Sequence, residues 1–173
     1  NLLVGNLLDM TRLEAGAFQL TLEPCDVQDL VGIVLSRFAQ RRSDHKVQVS
    51  LPDELPLIKI DVALMAKALL NLLDNAAKYS PEHAPIDLQG NASHGEAILT
   101  VLDRGIGIPS AELPNIFDKF FRSSRSRGFG GIGLGLSITK GIVEAHNGRI
   151  WAENRPGGGS AISLALPVEP EEE

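Results

Sequence analysis

A chain of 173 residues that is 43% hydrophobic and 22% charged has ordinary globular composition, which excludes a largely disordered polymer and supplies apolar material for one core. No apolar run approaches the roughly 18 residues that cross a bilayer, and the start is neither a leader nor a methionine, so we expect a soluble piece cut from something longer. The formal net charge of -6 sits largely at one end, because without Glu169, Glu171, Glu172 and Glu173 only 18 acidic residues face 16 basic ones. Residues 169–173 therefore read as a solvated acidic tail, and no basic stripe suited to nucleic acid is present. The single cysteine, Cys25, excludes an internal disulfide and reads as a small buried hydrophobe rather than a nucleophile. Glycine is uneven: ten of 17 lie between Gly128 and Gly159.

In chain order, Asn1 to Leu13 reads as the end of a helix, with Leu3, Leu7 and Met10 at helical spacing and Gly16 as a stop. Phe18, Leu20 and Leu22 alternate as a strand before Pro24, and Asp26 opens a helix to about Arg42. Val47, Val49 and Leu51 predict a strand ended by Pro52. Asp61 caps an apolar helix to about Tyr79, stopped by Ser80-Pro81. Strands follow at about Ile86 to Gln89 and Ala97 to Asp103, then a short helical piece within Pro109 to Phe121. Residues 122–131 carry no apolar period and read as a mobile loop. A helix from about Leu134 to His146 is expected to end with Gly148 as a left-handed cap, before strands at Arg149 to Glu153 and Ser160 to Leu166. This interleaving suggests an α/β fold with one mixed sheet covered by helices on one face.

Three elements carry candidate chemistry. Asn71, Asn75 and Lys78 are spaced i, i+4, i+7, so two carboxamides and an ammonium project from one helix face, able to offer oxygen to Mg²⁺ and charge to phosphate. By itself such a face reads more readily as an ordinary solvated one. Asp103-Arg-Gly105-Ile-Gly107-Ile-Pro109 puts a carboxylate at a strand end, able to accept from an exocyclic amine beside glycines that let a flat ring approach. A bare turn explains it equally. Gly128 to Leu136 precedes a helix and exposes N–H groups suited to phosphate. It matches G-x-G-x-x-G, with Glu153 20 residues beyond Gly133, but Arg122 to Arg127 is no strand, so the dinucleotide reading fails.

Together, Asn71-Leu-Leu-Asp-Asn-Ala-Ala-Lys-Tyr79, Asp103-Arg-Gly-Ile-Gly107, Ile116-Phe-Asp-Lys-Phe-Phe-Arg122 and Gly131-Ile-Gly-Leu-Gly-Leu136 closely resemble, in order and spacing, the N, G1, F and G2 boxes of sensor histidine kinases of the GHKL superfamily. Gly157 to Pro167 is similar to the family's closing strand, and Asn6 to Gly16 to the end of its dimerisation hairpin. That segment, with Arg149 to Pro156, is most similar to the Kdp-type potassium-responsive kinases. The resemblance implies a two-layer α/β sandwich with a mostly antiparallel sheet (the Bergerat fold), in which residues 1–16 are a hairpin remnant and 17–168 the ATP-binding catalytic domain. It implies Asn75 as Mg²⁺ ligand with Asn71 beside it, Lys78 and Arg122 on phosphates, and Tyr79 flanking the nucleotide. Asp103 reads the adenine amino group, with Ser160 helping through water. Gly105, Gly107, Ile108, Phe120, Gly131, Gly133, Leu134, Gly135 and Leu136 complete the implied nucleotide site, and Phe117 to Gly131 is the ATP lid. Phe120 and Phe121 equally fit hinge packing or plain core.

Relatives that hydrolyse ATP, such as type II topoisomerases and mismatch-repair ATPases, resemble this chain but carry a glutamate base one turn before the magnesium asparagine. That position is Asn71, and a carboxamide has no useful proton affinity near neutral pH. Transfer to a histidine needs mainly positioning and charge stabilisation. The family's acceptor histidine precedes an acidic residue, whereas His45, His83, His94 and His146 precede Lys46, Ala84, Gly95 and Asn147. The acceptor is thus expected upstream, and this chain alone is not expected to autophosphorylate. His146 reads as a helix C-terminal charge or polar neighbour. The implied partners are that hairpin, a response regulator and a second copy in the full-length protein, whose cytoplasmic part this would be, beneath a bacterial inner membrane and without touching it. The Kdp-type likeness implies a potassium or osmotic signal. Two other functions fit the same fold: a non-catalytic interaction domain, which would not bind Mg-ATP, and a clamp-like ATPase, which would hydrolyse it.

Overall fold

The computed structural model describes residues 2–16, 19–42 and 44–169. Its elements are α1 (Leu2–Glu14), β1 (Glu23–Cys25), α2 (Val27–Arg41), β2 (Val47–Ser50), β3 (Ile58–Ile60), α3 (Val62–Tyr79), β4 (Ile86–Ser93), β5 (Glu96–Leu102), α4 (Gly135–Ala145), β6 (Arg149–Asn154) and β7 (Ser160–Pro167), with 3-10 turns at Ser110–Asn115 and Ser124–Ser126. Five strands form one sheet in the order β2-β4-β5-β7-β6, parallel only between β2 and β4. The two-strand pair β1-β3 lies apart from it, apart from an Ile58–Val168 bridge.

Alternation decides which face is covered. Ile86 and Leu88, then Leu99 and Val101, then Ile162 and Leu164 are buried, and α3 and α4 pack on that side. The opposite face is more polar, with Thr100 and Ser163 sharing a 2.8 Å hydrogen bond. The result is the two-layer α/β sandwich with a mostly antiparallel sheet that the sequence predicts.

Asp61 fixes the start of α3 on three sides. Its Oδ1 accepts the Leu64 N–H at 3.1 Å, its Oδ2 accepts the Thr21 N–H at 3.0 Å, and its own N–H donates to His146 Nε2 at 3.0 Å. His146 is therefore a buried link, its Nδ1 2.7 Å from the Ile142 carbonyl, rather than an end charge on α4. From Asp61, Met65, Leu69, Leu72, Leu73 and Ala76 run into the core. The helix stops at Ser80, where the chain turns extended before Pro81.

Two further local expectations are corrected. The strand expected at Phe18 to Leu22 lies instead at Glu23–Cys25, with Leu20 and Leu22 outside it and Phe18 outside the described residues. Its partner β3 decides this register, pairing Pro24 with Lys59, and a two-strand ribbon tolerates a proline that lacks an N–H. At the end of α4, Asn147 takes the left-handed conformation (φ 58°), not Gly148. Gly148 is needed for close approach, because a Cβ there would lie 2.4 Å from the Ala165 carbonyl oxygen.

α1 lies against α3 and α4. Met10 enters the core, Leu13 fits over Gly141, Asp9 pairs with Lys67, and Glu14 pairs with Lys119 at 2.8 Å. Leu3, Val4, Leu7 and Leu8 face outward.

Candidate functional site

A cavity of about 520 Å³ opens between α3, the end of β5, the start of β7 and the segment leading into α4. Asn71, Asn75, Lys78, Tyr79, Asp103, Gly107, Ile108, Arg122, Gly131, Gly133, Leu134, Gly135, Leu136 and Ser160 all line it, so residues spread over 90 positions of sequence share one wall. Gly105 and Phe120 do not line it. Gly105 stands behind the wall, where a Cβ would come 2.4 Å from the Tyr79 carbonyl oxygen. Phe120 points outward, 62% exposed at φ 60°, because its N–H donates to the Gly133 carbonyl at 3.0 Å and fixes the backbone there. Phe121 lines the cavity in its place.

One end of the cavity is built around Asp103, which β5 delivers and which is 7% exposed. Its Oδ1 accepts the Gly105 N–H at 2.8 Å and the Ser160 N–H at 3.1 Å. Its Oδ2 accepts the Ser160 hydroxyl directly at 2.7 Å. A carboxylate has about four lone-pair sites, so these three donors leave Oδ2 room for one more. Asp103 lines the cavity, and its remaining acceptor capacity suits an N–H donor of a planar ligand.

The loop beyond Asp103 is held by residues that sequence reasoning missed. Asn154 clamps Ile108 both ways, Oδ1 accepting its N–H at 2.9 Å and Nδ2 donating to its carbonyl at 2.5 Å. Arg155 donates to the Asp103 carbonyl at 2.8 Å, and Arg125 to the Ile106 carbonyl at 3.1 Å. Gly159, at φ +88°, passes so close that a Cβ would lie 2.1 Å from the Asp103 carbonyl oxygen. No local signal marks Asn154, since its partner is 46 residues away.

The other end is cationic and lined by a mobile-looking composition. Lys78 Nζ donates to the Gly130 carbonyl and lies 5.1 Å from the Tyr79 ring centroid, and Tyr79 meets Phe129 edge-on at 5.1 Å. Arg122 donates to the carbonyls of Ser126, at 3.2 Å, and Phe129. The two cations thus hold the loop by its backbone oxygens. The loop's first turn is anchored by Glu112, which accepts the Ser123 hydroxyl at 2.5 Å and the Ser124 N–H at 3.2 Å. Those hydrogen bonds keep the Glu112 carboxyl below the ordinary glutamate range.

On α3, the Asn71 amide is 3.5 Å from Thr139 Oγ1, and Asn75 faces the same cavity one turn on. Asp74 lines it too, as do Arg41 and Arg42 from the end of α2 and Asn6 from α1. Burial raises the Asp74 carboxyl above its ordinary range, and Arg41 and Arg42 oppose that. The signal for Asp74 was available: positions 71, 74, 75 and 78 follow i, i+3, i+4, i+7, one helix face. The carboxamide oxygens of Asn71 and Asn75 fit a hard divalent cation, while Asp74 Oδ2 pairs with Arg41 Nη1 at 3.2 Å.

A family model described as the histidine kinase-, DNA gyrase B-, and HSP90-like ATPase matches residues 60–170. The chain belongs to that family. Within this ATPase family its likeness is to sensor histidine kinases. It is 39% identical over 167 residues to the sensor protein KdpD of Escherichia coli (strain K12), which covers 96% of this chain and 19% of that protein. It is 34% identical over 176 residues to the sensor histidine kinase WalK of Bacillus subtilis (strain 168), covering 99% of this chain and 29% of that protein. Full-length ShkA, solved in complex with AMPPNP, superposes with a TM-score of 0.83 at 27% identity over 96% of this chain and 35% of that one. The chain therefore spans less than a third of the length of these curated relatives. The ATPase domain of a sensor histidine kinase is what it resembles throughout, and the KdpD likeness agrees with the Kdp-type resemblance of its motifs. Among the described residues no helix is long and apolar enough to cross a membrane.

Proposed function

We propose that this domain binds Mg-ATP and transfers the γ-phosphoryl group to a histidine on a helical hairpin upstream of it, for relay to a response regulator. The observation that carries the reading is the Asp103 carboxylate, buried, holding three donors from Gly105 and Ser160, and lining the cavity with acceptor capacity remaining. Asp103 accepts the adenine amino group there, while Tyr79 and Ile108 flank the ring. The triphosphate runs along α3, where Lys78 and Arg122 release the loop carbonyls and take phosphate oxygens instead, exchanging neutral acceptors for charged ones. Residues 117–131 act as the lid that closes over it. Asn75, with Asn71 beside it, holds Mg²⁺. When bound, that ion neutralises developing charge on the phosphates.

The chain's own residues also argue for transfer over hydrolysis. Asn71 stands where a hydrolytic relative carries its glutamate, and a carboxamide takes no proton from water. With water unactivated, the γ-phosphoryl group waits for an imidazole. Residues 1–16 are the tail of the hairpin that brings it. That hairpin dimerises the parent protein on the cytoplasmic side of a bacterial membrane, where a potassium or osmotic stimulus is the signal that the Kdp-type likeness favours. The outward stripe of Leu3, Val4, Leu7 and Leu8 is the hairpin's share of that helical packing.

The test is to mix this chain with a separately produced hairpin of the parent protein and γ-labelled ATP. Label that appears on the hairpin, stable to base and labile to acid as a phosphoramidate is, supports the reading. Free phosphate with no labelled hairpin contradicts it and favours an ATPase. Asn71→Glu is expected to raise phosphate release above the wild-type level.

A further inference from the structure

Along α3 from Lys78 the cavity also holds a charge pair that the phosphate contacts above leave unused. The Tyr79 carbonyl abuts the Asp103 turn, so the adenine end is at the C-terminus of α3. Asp74 and Asn71 lie five and eight residues back, about 7 and 12 Å along the helix axis. Arg41, the last residue of α2, reaches this position. Its Nη1 is 3.2 Å from Asp74 Oδ2, and both residues line the cavity.

Among the described residues the pairing leaves most of the guanidinium without another side-chain partner. Arg carries five N–H donors in a planar fork, and this ion pair engages one nitrogen, with the side chain 52% exposed. An exposed Arg–Asp pair contributes little to stability, so its consequence is to hold the fork in one orientation. Lys78 and Arg122 hold the cationic end through the loop carbonyls, and Arg122 comes from the lid. Arg41 meets α3 at Asp74, one helical turn back from Lys78, so a triphosphate threaded along α3 past Lys78 would bring its third phosphate toward this guanidinium.

We propose that Arg41, oriented by Asp74, is the residue that recognises the terminal phosphate of ATP and distinguishes it from ADP. The inference rests on the nucleotide reading above and deepens it. Asp74 is then a positioning residue: it touches Arg41, and the nucleotide through it.

The test is calorimetric titration of the chain with Mg-ADP and with a non-hydrolysable Mg-ATP analogue. For Arg41→Ala, affinity for the triphosphate is expected to fall about tenfold while ADP affinity changes less than about twofold. Arg41→Lys recovers part of the loss, since a point charge replaces the fork. Asp74→Asn shows the same selectivity at smaller size. A merely structural role moves both nucleotides together, so equal losses, or no loss for either, overturn the proposal. Because ADP serves as the internal reference, failure of the underlying reading is separately visible: the wild type then binds neither nucleotide.

Discussion

The two ends of the cavity are held together differently. Around Asp103 most polar contacts join residues of the sheet and its turns: Gly105 and Ser160 fill the carboxylate, Asn154 clamps Ile108, and Arg155 ties the Asp103 carbonyl, while Arg125 of the lid segment adds one contact, to the Ile106 carbonyl. At Lys78 and Arg122 the partners are carbonyls of the loop between Ser126 and Gly130. That loop is closed at its base by the Phe120 N–H on the Gly133 carbonyl, and its tip rests on Tyr79 through Phe129. A ligand therefore meets a finished surface at one end and must displace the protein's own backbone at the other. Affinity from the first end depends on geometry already present. Affinity from the second is reduced by whatever the loop contacts contribute without ligand.

Substitutions at the two ends should differ accordingly, and the largest effect belongs to the finished one. Asp103→Asn puts an N–H₂ where the open acceptor was, and we expect about a hundredfold loss of ATP-analogue affinity by calorimetry with the fold retained. Gly159→Ala breaks the same end by sterics, forcing a side chain at φ +88° against the Asp103 carbonyl. It should lower stability by about 2–4 kcal/mol in denaturant titration, with m unchanged. Lys78→Ala probes the other end. A loss of about tenfold in triphosphate affinity is expected, together with faster amide exchange in residues 126–131 of the free protein, because the Gly130 carbonyl loses its partner. Phe129→Ala sharpens the contrast with the smallest change. Removing its edge contact with Tyr79 should speed proteolysis of the free loop and alter nucleotide affinity less than about threefold. Equal effects of Lys78→Ala and Asp103→Asn on exchange throughout the site would remove the distinction.

Legibility in the sequence followed the same division between local and distant causes. α3 was readable from end to end because its cap, its apolar stripe and its Ser80-Pro81 stop are all local. The four boxes were readable because each is contiguous, and the cavity brings them to one wall. What stayed hidden depends on partners far along the chain. β3 is three residues long and means nothing without β1, and β1 shifts onto Pro24 only because β3 is there. His146 looks like a helix end until Asp61, 85 residues earlier, is seen to donate to it. Arg41 and Asp74 become a pair only when α2 and α3 pack. Phe120 misled for another reason: a motif names neighbours, and Phe120 and Phe121 differ in which way a left-handed backbone turns them.

The most direct measurement is amide hydrogen exchange on the free chain and on the chain saturated with a non-hydrolysable ATP analogue and Mg²⁺. The account predicts slow exchange at Asp103, Gly105 and Ser160 in both states, and a large gain in protection confined to residues 122–133 on binding. Comparable gains at both ends would show that the Asp103 end forms only with ligand, and no gain in the loop would show that it is not displaced; either result contradicts a finished adenine end facing a self-occupied phosphate end.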